Sequence, residues 1–180
     1  GRVIPNKCFE DIIKVFHIYQ RFIDPNCRLL LVGEHYGFER YFDSLVRLVD
    51  DLALRDVVFA GHVDTDDLVA YYQAADLFLC MSEHEGYCVP LIEAFRFGVP
   101  VLAFEAGAVP ETMGGGGILV REKRFDEIAE MARLLVEDED FRMTHLWLVD
   151  VDPTGDPAEP SRLTGGDDPS AFTVDGFEGS

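Results

Sequence analysis

SEHEGYCVPLIEA, residues 82–94, lies between two short apolar runs. The first run predicts a buried strand, and Pro90 predicts a helix start, because proline is favoured in the first turn. Glu85 and Gly86 lie in the loop between strand and helix, and Glu93 lies on the helix. N–H groups at a helix start are unpaired, and the helix dipole favours anions there. The stretch therefore predicts a site for a phosphorylated sugar, with hydroxyl pairs on the two carboxylates.

Apolar runs alternate with helical patterns along most of the chain. That order predicts βαβ units, and hence an α/β fold with a doubly wound parallel sheet. The predicted strands are Leu29–Val32, Val57–Ala60, Leu77–Cys80, Val101–Phe104 and Ile118–Val120. The predicted helices are Phe9–Arg21, Tyr41–Leu54, one capped by Asp64 or Thr65 and running through Tyr72, the helix that Pro90 opens, and Asp126–Val136.

Four motifs follow one another in a fixed order between residues 1 and 142. They are Gly1-Arg2 followed by Lys7, Val58-Phe59-Ala60-Gly61, Glu85 and Glu93 with seven residues between them, and Ala106-Gly107-Ala108-Val109-Pro110-Glu111. This set resembles the motifs of retaining GT-B glycosyltransferases, especially glycosyltransferase family 4, also called glycosyl transferases group 1. The glutamate pair alone would be a weak signal, and the order and spacing of all four motifs make the resemblance specific. Cys8 departs from the pattern, since the family usually has glycine there.

The resemblance implies the C-terminal, donor-binding domain of such an enzyme, which is a Rossmann-like half of a GT-B fold. The intact enzyme would be a retaining hexosyltransferase that moves a sugar from a UDP- or GDP-linked donor to an acceptor, without a metal or cofactor. An N-terminal, acceptor-binding domain would precede Gly1. We therefore expect the first strand of the sheet to be missing or reduced to a stub at Arg2–Ile4, and the isolated chain to be inactive.

Three residues are implied as catalytic by the resemblance. Arg2 and Lys7 would clamp the diphosphate and neutralise charge that develops on the leaving group. Glu85 would hold hydroxyls of the transferred sugar, near the positive charge that develops on it. In isolation each of these side chains would be read as an ordinary solvated charge, and the motif order favours the functional interpretation.

Other residues are implied to bind the donor. Glu93 would hold the ribose diol, although a first-turn carboxylate can also merely complement the helix dipole. The remaining implied contacts are backbone N–H groups of Gly86, Tyr87 and Cys88, the Ser82 hydroxyl, Gly61 beside the base, and Gly33 at the carboxyl edge of the sheet, where ligands of doubly wound folds gather. His84 suggests a metal, but adjacent loop residues point in divergent directions, so we expect no metal ligands.

Composition narrows the possible partners. The 180 residues are 48% hydrophobic, which predicts one globular domain, and the formal charge of −19 argues against nucleic acid and anionic membranes. Four cysteines without a CxxC pair indicate free thiols in a cytoplasmic protein. No apolar run approaches the ~20 residues that span a bilayer, so membrane contact would come only through the absent domain.

The domain organisation is predicted in two parts. Residues 1–143 form the nucleotide-sugar-binding domain, and residues 144–180 form an acidic tail rich in Gly, Pro and Asp that is disordered or foreign to the fold. From Asp150 onward eight residues are acidic and only Arg162 is basic.

Two other functions stay open at this point. The chain could be a non-catalytic nucleotide-binding module that partners another polypeptide, or a structural α/β domain with a decayed site. Binding of a nucleoside diphosphate excludes the structural domain. Sugar transfer after addition of a separate N-terminal domain excludes the non-catalytic module.

Overall fold

The structure, a computed structural model, describes residues 1–138, 147–148 and 161–162. Its strands are β1 Leu29–Val32, β2 Val57–Gly61, β3 Phe78–Cys80, β4 Val101–Phe104, β5 Ile118–Val120, β6 Trp147–Leu148 and β7 Ser161–Arg162. Its helices are a short 3-10 helix Pro5–Lys7, α1 Phe9–Phe22, α2 Glu39–Asp51, α3 Thr65–Ala74, α4 Val89–Arg96, α5 Val109–Met113 and α6 Phe125–Glu137.

The five predicted strands are present and their pairings are parallel. They form two sheets rather than one, with β1 beside β2, and β4 between β3 and β5. Leu29 faces Val57 in the first sheet, and Leu102 lies between Leu79 and Ile118 in the second. Within residues 1–138 no strand joins β1 to β3, so each of these strands has one unpaired edge.

A cavity of about 620 Å³ borders both sheets. Its lining includes every residue of β1 and β3 together with part of the apolar face of α1. The expected stub at residues 2–4 is not a strand; instead, the Gly1 amino group donates to the Val32 carbonyl at 2.9 Å, and the Val3 N–H donates to the Glu34 carbonyl at 2.8 Å. These bonds hold the start of the described chain at the carboxyl end of β1.

Two apolar clusters form the core. In the larger one, Ile13 of α1 and Ile128 of α6 are fully or almost fully buried, and the two helices pack against each other. In the smaller one, Leu91 and Phe95 of α4 are buried against β4. α4 is therefore anchored by its apolar face, which fixes the position of its N-terminal end.

Helix ends follow local chemistry. The Asp64 carboxylate accepts a hydrogen bond from the Asp67 N–H at 2.9 Å, which caps α3 as the sequence predicts. α2 ends three residues before the predicted Leu54, because Ala53 adopts a left-handed conformation with φ of 51°. The fourth motif, at residues 106–111, runs into a helix, since α5 begins at Val109.

The acidic tail predicted at 144–180 lies outside the described residues, apart from the antiparallel pair of β6 and β7. No helix in the described part of the chain has the length and apolar content that a membrane crossing needs.

Candidate functional site

The loop between β3 and α4 carries Glu85 at the carboxyl edge of its sheet. Glu85 is buried, with 8% of its surface exposed, and its carboxylate accepts a hydrogen bond from the Lys7 ammonium. Lys7 ends the 3-10 helix, and 23% of its side chain is exposed. A charged carboxylate is costly to bury without a partner. The structure thus brings together two of the predicted catalytic residues as an ion pair.

Asn6 joins this loop to the start of the chain. The Asn6 carbonyl accepts from the Glu83 N–H at 2.9 Å, and the Asn6 side-chain amide donates to the His84 carbonyl at 3.2 Å. The two hydrogen bonds hold the segment before Lys7 against the segment before Glu85. They fix the backbone positions from which the ion pair is formed.

Gly107 and α5 support the same loop from the other side. Gly107 has φ of 56°, and a Cβ added there would lie 2.5 Å from the Glu85 carbonyl oxygen. The Ala108 N–H donates to that oxygen at 3.0 Å, and the Thr112 hydroxyl donates to the Tyr87 carbonyl at 2.6 Å. Only glycine permits this close approach of two backbones. The fourth sequence motif therefore positions Glu85 and Tyr87.

Glu93 lies on α4 and is half-buried. Its carboxylate accepts a hydrogen bond from the Tyr72 hydroxyl of α3 at 2.8 Å, and the Tyr72 ring stacks on Phe97 with ring centroids 5.5 Å apart. Burial raises the pKa of Tyr72, and the neighbouring Glu93 raises it further. Tyr72 therefore stays a hydrogen-bond donor at neutral pH and orients one carboxylate oxygen.

Two thiols lie at the base of the loop. The Cys80 and Cys88 sulfur atoms are 3.9 Å apart, and both residues are buried. Cys80 also contacts the Ser82 hydroxyl at 3.5 Å. The hydrogen bond from Cys88 lowers the pKa of Cys80, while the same bond, followed by burial, raises the pKa of Cys88. The shared hydrogen bond therefore favours one thiolate and one thiol in this pair.

Cys88 adopts a left-handed conformation with φ of 56°, immediately before α4. Gly86 and Tyr87 precede it and are exposed, with 60% of Tyr87 accessible. Within residues 1–138, no hydrogen bond uses the backbone N–H of these three residues. They therefore offer unpaired donors at the start of α4, as the sequence predicts.

The glycines predicted at the strand ends lie close to the start of the chain. A Cβ on Gly33 would lie 1.4 Å from the Gly1 carbonyl oxygen, and the Gly33 N–H donates to the Gly61 carbonyl at 2.9 Å. Arg2 is exposed, and its guanidinium carbon lies 5.6 Å from the centroid of the Phe38 ring. Arg2 is thus held beside the glycines rather than in the Lys7–Glu85 pair.

One end of the cavity brings most of the predicted polar residues together. Its lining there includes Gly1, Arg2, Lys7, Ser82, Glu85 and Cys88. Cationic groups and a carboxylate therefore share one pocket, which suits a ligand with both phosphate and hydroxyl groups.

Several residues of the site were not predicted. Tyr72 and Asn6 carry no motif that announces their roles, because their partners are distant in the sequence. Lys123 was not predicted either. Its ammonium donates to Asp11 at 2.8 Å and to Glu83 at 3.0 Å, and so connects α1 to the loop after β3. Gly107 could be selected from the sequence, since it belongs to the fourth motif, at residues 106–111.

The sequence matches a known protein family over most of its length. The family model described as "Glycosyl transferases group 1" matches residues 1–145. Among curated proteins, the "GDP-mannose-dependent alpha-(1-6)-phosphatidylinositol monomannoside mannosyltransferase" of Mycobacterium tuberculosis is 30% identical over 150 residues. The match covers 78% of this chain and 38% of that enzyme, so the chain spans well under half of its length.

Solved structures agree with that result. Anabaena Alr3699/HepE, determined in complex with UDP-glucose, has a TM-score of 0.67 and 27% identity, over 78% of this chain and 38% of that one. The C-terminal domain of a glycosyl transferase group 1 protein, LpcC from Francisella tularensis, has a TM-score of 0.66 and 25% identity. That match covers 79% of this chain and 75% of the LpcC chain.

Proposed function

Because this chain belongs to the glycosyl transferases group 1 family, we propose that it is the donor-binding half of a retaining hexosyltransferase that uses a nucleoside diphosphate sugar. The observation that carries the proposal is the Lys7–Glu85 ion pair at the carboxyl edge of β3, beside the start of α4. The pair places a cation for a phosphate next to a carboxylate for sugar hydroxyls. Such neighbouring groups suit the bond between sugar and diphosphate.

The diphosphate would bind between the start of the described chain and the start of α4. Lys7 and Arg2 both line the cavity, and they would neutralise charge that develops on the leaving diphosphate. The N–H groups of Gly86, Tyr87 and Cys88 would complete the phosphate contacts. Ser82, which is buried on the same lining, would donate a further hydrogen bond. No metal ion is needed when cations and N–H groups supply this stabilisation.

The two carboxylates would bind different parts of the donor. Glu93, whose oxygen Oε2 is oriented by Tyr72, would accept hydrogen bonds from the ribose hydroxyls. Glu85 would accept hydrogen bonds from the transferred sugar, near the charge that develops at its anomeric carbon. Gly61, where an added Cβ would meet nothing within 4 Å, would lie beside the base and leave room for it to approach the backbone.

Two donor types are supported by the relatives. The mycobacterial relative is named as GDP-mannose-dependent, and the Anabaena structure holds UDP-glucose. We therefore propose a UDP- or GDP-linked hexose as donor. The acceptor would bind to the part of the enzyme that lies outside this chain, in an N-terminal domain, so the isolated chain would bind the donor without transferring its sugar. The free thiols fit a cytoplasmic enzyme.

A thermal-shift panel of UDP, GDP and ADP with their sugar conjugates tests the proposal. A ligand that binds the folded state raises its apparent stability, and binding at a hundredfold excess over Kd adds about 2.7 kcal/mol. We expect one nucleotide and its conjugates to raise Tm, and the others to have little effect. Absence of any shift with all six ligands would contradict nucleotide binding. Sugar transfer by this chain alone would contradict the assignment of the acceptor site to an N-terminal domain.

A further inference from the structure

Cys80, Cys88 and Glu85 form a cluster, and the proposed function uses the Glu85 carboxylate but neither of the two thiols. One ligand atom from each residue lies within 4.8 Å of the other two, and all three residues are buried. Two sulfur atoms and one carboxylate oxygen are a ligand set that zinc accepts. Because the three residues come from the end of β3, the loop after it and the start of α4, the fold itself creates this cluster.

We propose that Cys80, Cys88 and Glu85 bind one soft divalent metal ion, with Zn²⁺ as the reference ion. In a tetrahedral site with Zn–S bonds of 2.3 Å, the two sulfur atoms are about 3.8 Å apart. The observed separation is 3.9 Å. The two thiols are thus already spaced as two corners of such a site.

Charge balance favours the ion. Two thiolates and the Glu85 carboxylate carry three negative charges, while a divalent ion and the Lys7 ammonium carry three positive charges. The filled cluster is therefore neutral, which is the condition for burying charges at low cost. Lys7 donates to Oε1 of Glu85, so Oε2 is the oxygen that would contact the ion.

The surroundings supply an outer shell and an entry path. The Ser82 hydroxyl lies 3.5 Å from the Cys80 sulfur and Lys7 holds Glu85, as outer-shell partners do at metal sites. All three ligand residues line the 620 Å³ cavity. The fourth position of the tetrahedron would face that space and hold water or a ligand oxygen.

A second cluster, formed by Cys8, Asp11 and Glu83, serves as the internal comparison. There the Lys123 ammonium already contacts both carboxylates, at 2.8 Å and 3.0 Å. A metal ion would have to displace this cation, and only one thiol would bind it. We therefore assign no ion to that cluster.

Calorimetric titration of the native chain with Zn²⁺, in a phosphine reductant that keeps the thiols reduced, tests the proposal. We expect one ion per chain. Cys80→Ser and Cys88→Ser should each weaken binding by more than about a hundredfold, since loss of outer-shell partners alone costs about 10- to 100-fold. Cys27→Ser and Cys8→Ser are the matched controls and should bind as the native chain does.

Unchanged zinc affinity in both Cys80→Ser and Cys88→Ser would overturn the proposal. X-ray absorption of the zinc-bound native chain gives an answer that does not depend on the folding of variants. We expect two sulfur ligands at about 2.3 Å. A shell of only nitrogen and oxygen ligands, or no binding at all, would contradict the assignment.

An ion at this site would compete with the donor sugar for Glu85, a consequence that rests on the proposed function. Zinc should then weaken binding of the sugar nucleotide more than that of the free nucleoside diphosphate. If zinc binds without any such effect, the metal site stands and the sugar contact of Glu85 is wrong. If nucleotides do not bind at all, the zinc titration still decides the metal site.

Discussion

Lys7 and Glu85 are 78 positions apart in the sequence and form an ion pair in which only 7% of the carboxylate side chain is exposed. The pair joins the 3-10 helix to the loop after β3. It is the contact through which the opening motif of the chain meets the glutamate motif. The coupling energy between Lys7 and Glu85 can be measured separately from the contacts that each residue makes with a ligand.

The first prediction concerns the stability of this pair. Lys7→Met leaves the buried Glu85 carboxylate without its cation, and we expect the free energy of unfolding to fall by about 1.5–3 kcal/mol, the range for hydrogen bonds to charged groups. Lys7→Met combined with Glu85→Gln should recover part of that loss, because no unpaired charge remains. Urea unfolding of the two single variants and the double variant gives the coupling energy. If the losses of stability in the two single variants add up to the loss in the double variant, Lys7 and Glu85 are not energetically coupled.

The second prediction separates the two carboxylates. Glu93→Gln should weaken a nucleoside diphosphate and its sugar conjugate alike, by about ten- to a hundredfold, because both contain the ribose. Glu85→Gln should weaken only the conjugate by that amount. Calorimetry measures both ligands, and Glu105→Gln, on the loop after β4, is the control. Equal losses for both ligands in a folded Glu85→Gln variant would show that Glu85 does not bind the sugar.

A third prediction tests the support of the loop by Gly107. Gly107→Ala places a Cβ 2.5 Å from the Glu85 carbonyl oxygen, on a backbone with φ of 56°. Backbone strain alone should cost about 1–2 kcal/mol, and the clash should add to it and weaken the sugar conjugate. Gly98→Ala is the matched control, since Gly98 has φ of 68° and nothing within 4 Å of the added Cβ. Equal losses of stability and affinity in both variants would exclude a role for the close contact.

The fourth prediction is a pH dependence centred on Asp11. Burial raises the pKa of Asp11, but hydrogen bonds from Lys123 and Lys14 outweigh it, and the net pKa lies below the ordinary value of 3.8. A lowered pKa means that the ionised form stabilises the fold above that ordinary value, and that this contribution is lost as the pH falls through the folded-state pKa. Asp11→Asn should therefore be less stable than the native chain at pH 7.

The difference in the free energy of unfolding between the native chain and Asp11→Asn should decrease below about pH 4 and disappear at lower pH. Urea unfolding at pH 7, 5 and 3 measures it, and Asp43→Asn, an exposed position on α2, is the control. A difference that stays constant over this range would show that ionisation of Asp11 contributes nothing to stability.

The fifth prediction uses the end of α2. The N–H of Ala53 donates to Asp50 at 2.9 Å and the N–H of Leu54 donates to Val49 at 3.1 Å, the hydrogen bonds of a Schellman motif. Ala53 is in the left-handed position that favours glycine. Ala53→Gly should raise the free energy of unfolding by up to about 1 kcal/mol, measured by urea unfolding. Ala70→Gly, inside α3, should lower it by about 0.5–1 kcal/mol. A lower stability for Ala53→Gly would contradict the prediction.

Local patterns made the elements of the fold predictable. The bounds of β1, β4 and β5 agree with the predicted ones, because these apolar runs between turn residues are too short to form helices. The end of α2 was missed, since alanine gives no signal for a left-handed conformation. The separation into two sheets was also missed, because pairing depends on neighbours in space.

Motifs in the sequence also located the candidate site. Lys7 and Glu85 were selected from different motifs, and the structure joins them. The role of Tyr72 could not be predicted, because its partner Glu93 lies on another helix and a tyrosine in a helical pattern usually belongs to the core. The closeness of Cys80 and Cys88 depends on the turn between them, which no periodicity describes. Contacts between residues that a loop brings together thus cannot be predicted from sequence patterns alone.

The packing of α1 against α6 bears on how the chain folds during synthesis. Ile13 of α1 is covered in a cluster that includes Ile128 and Leu135, so its burial waits for residues made more than a hundred positions later. At about 5–20 residues per second, α1 would leave the ribosome roughly 5–20 s before α6. During that time its apolar face has no native cover from α6. Part of the apolar face of α1 would therefore stay uncovered on the nascent chain until α6 has been made.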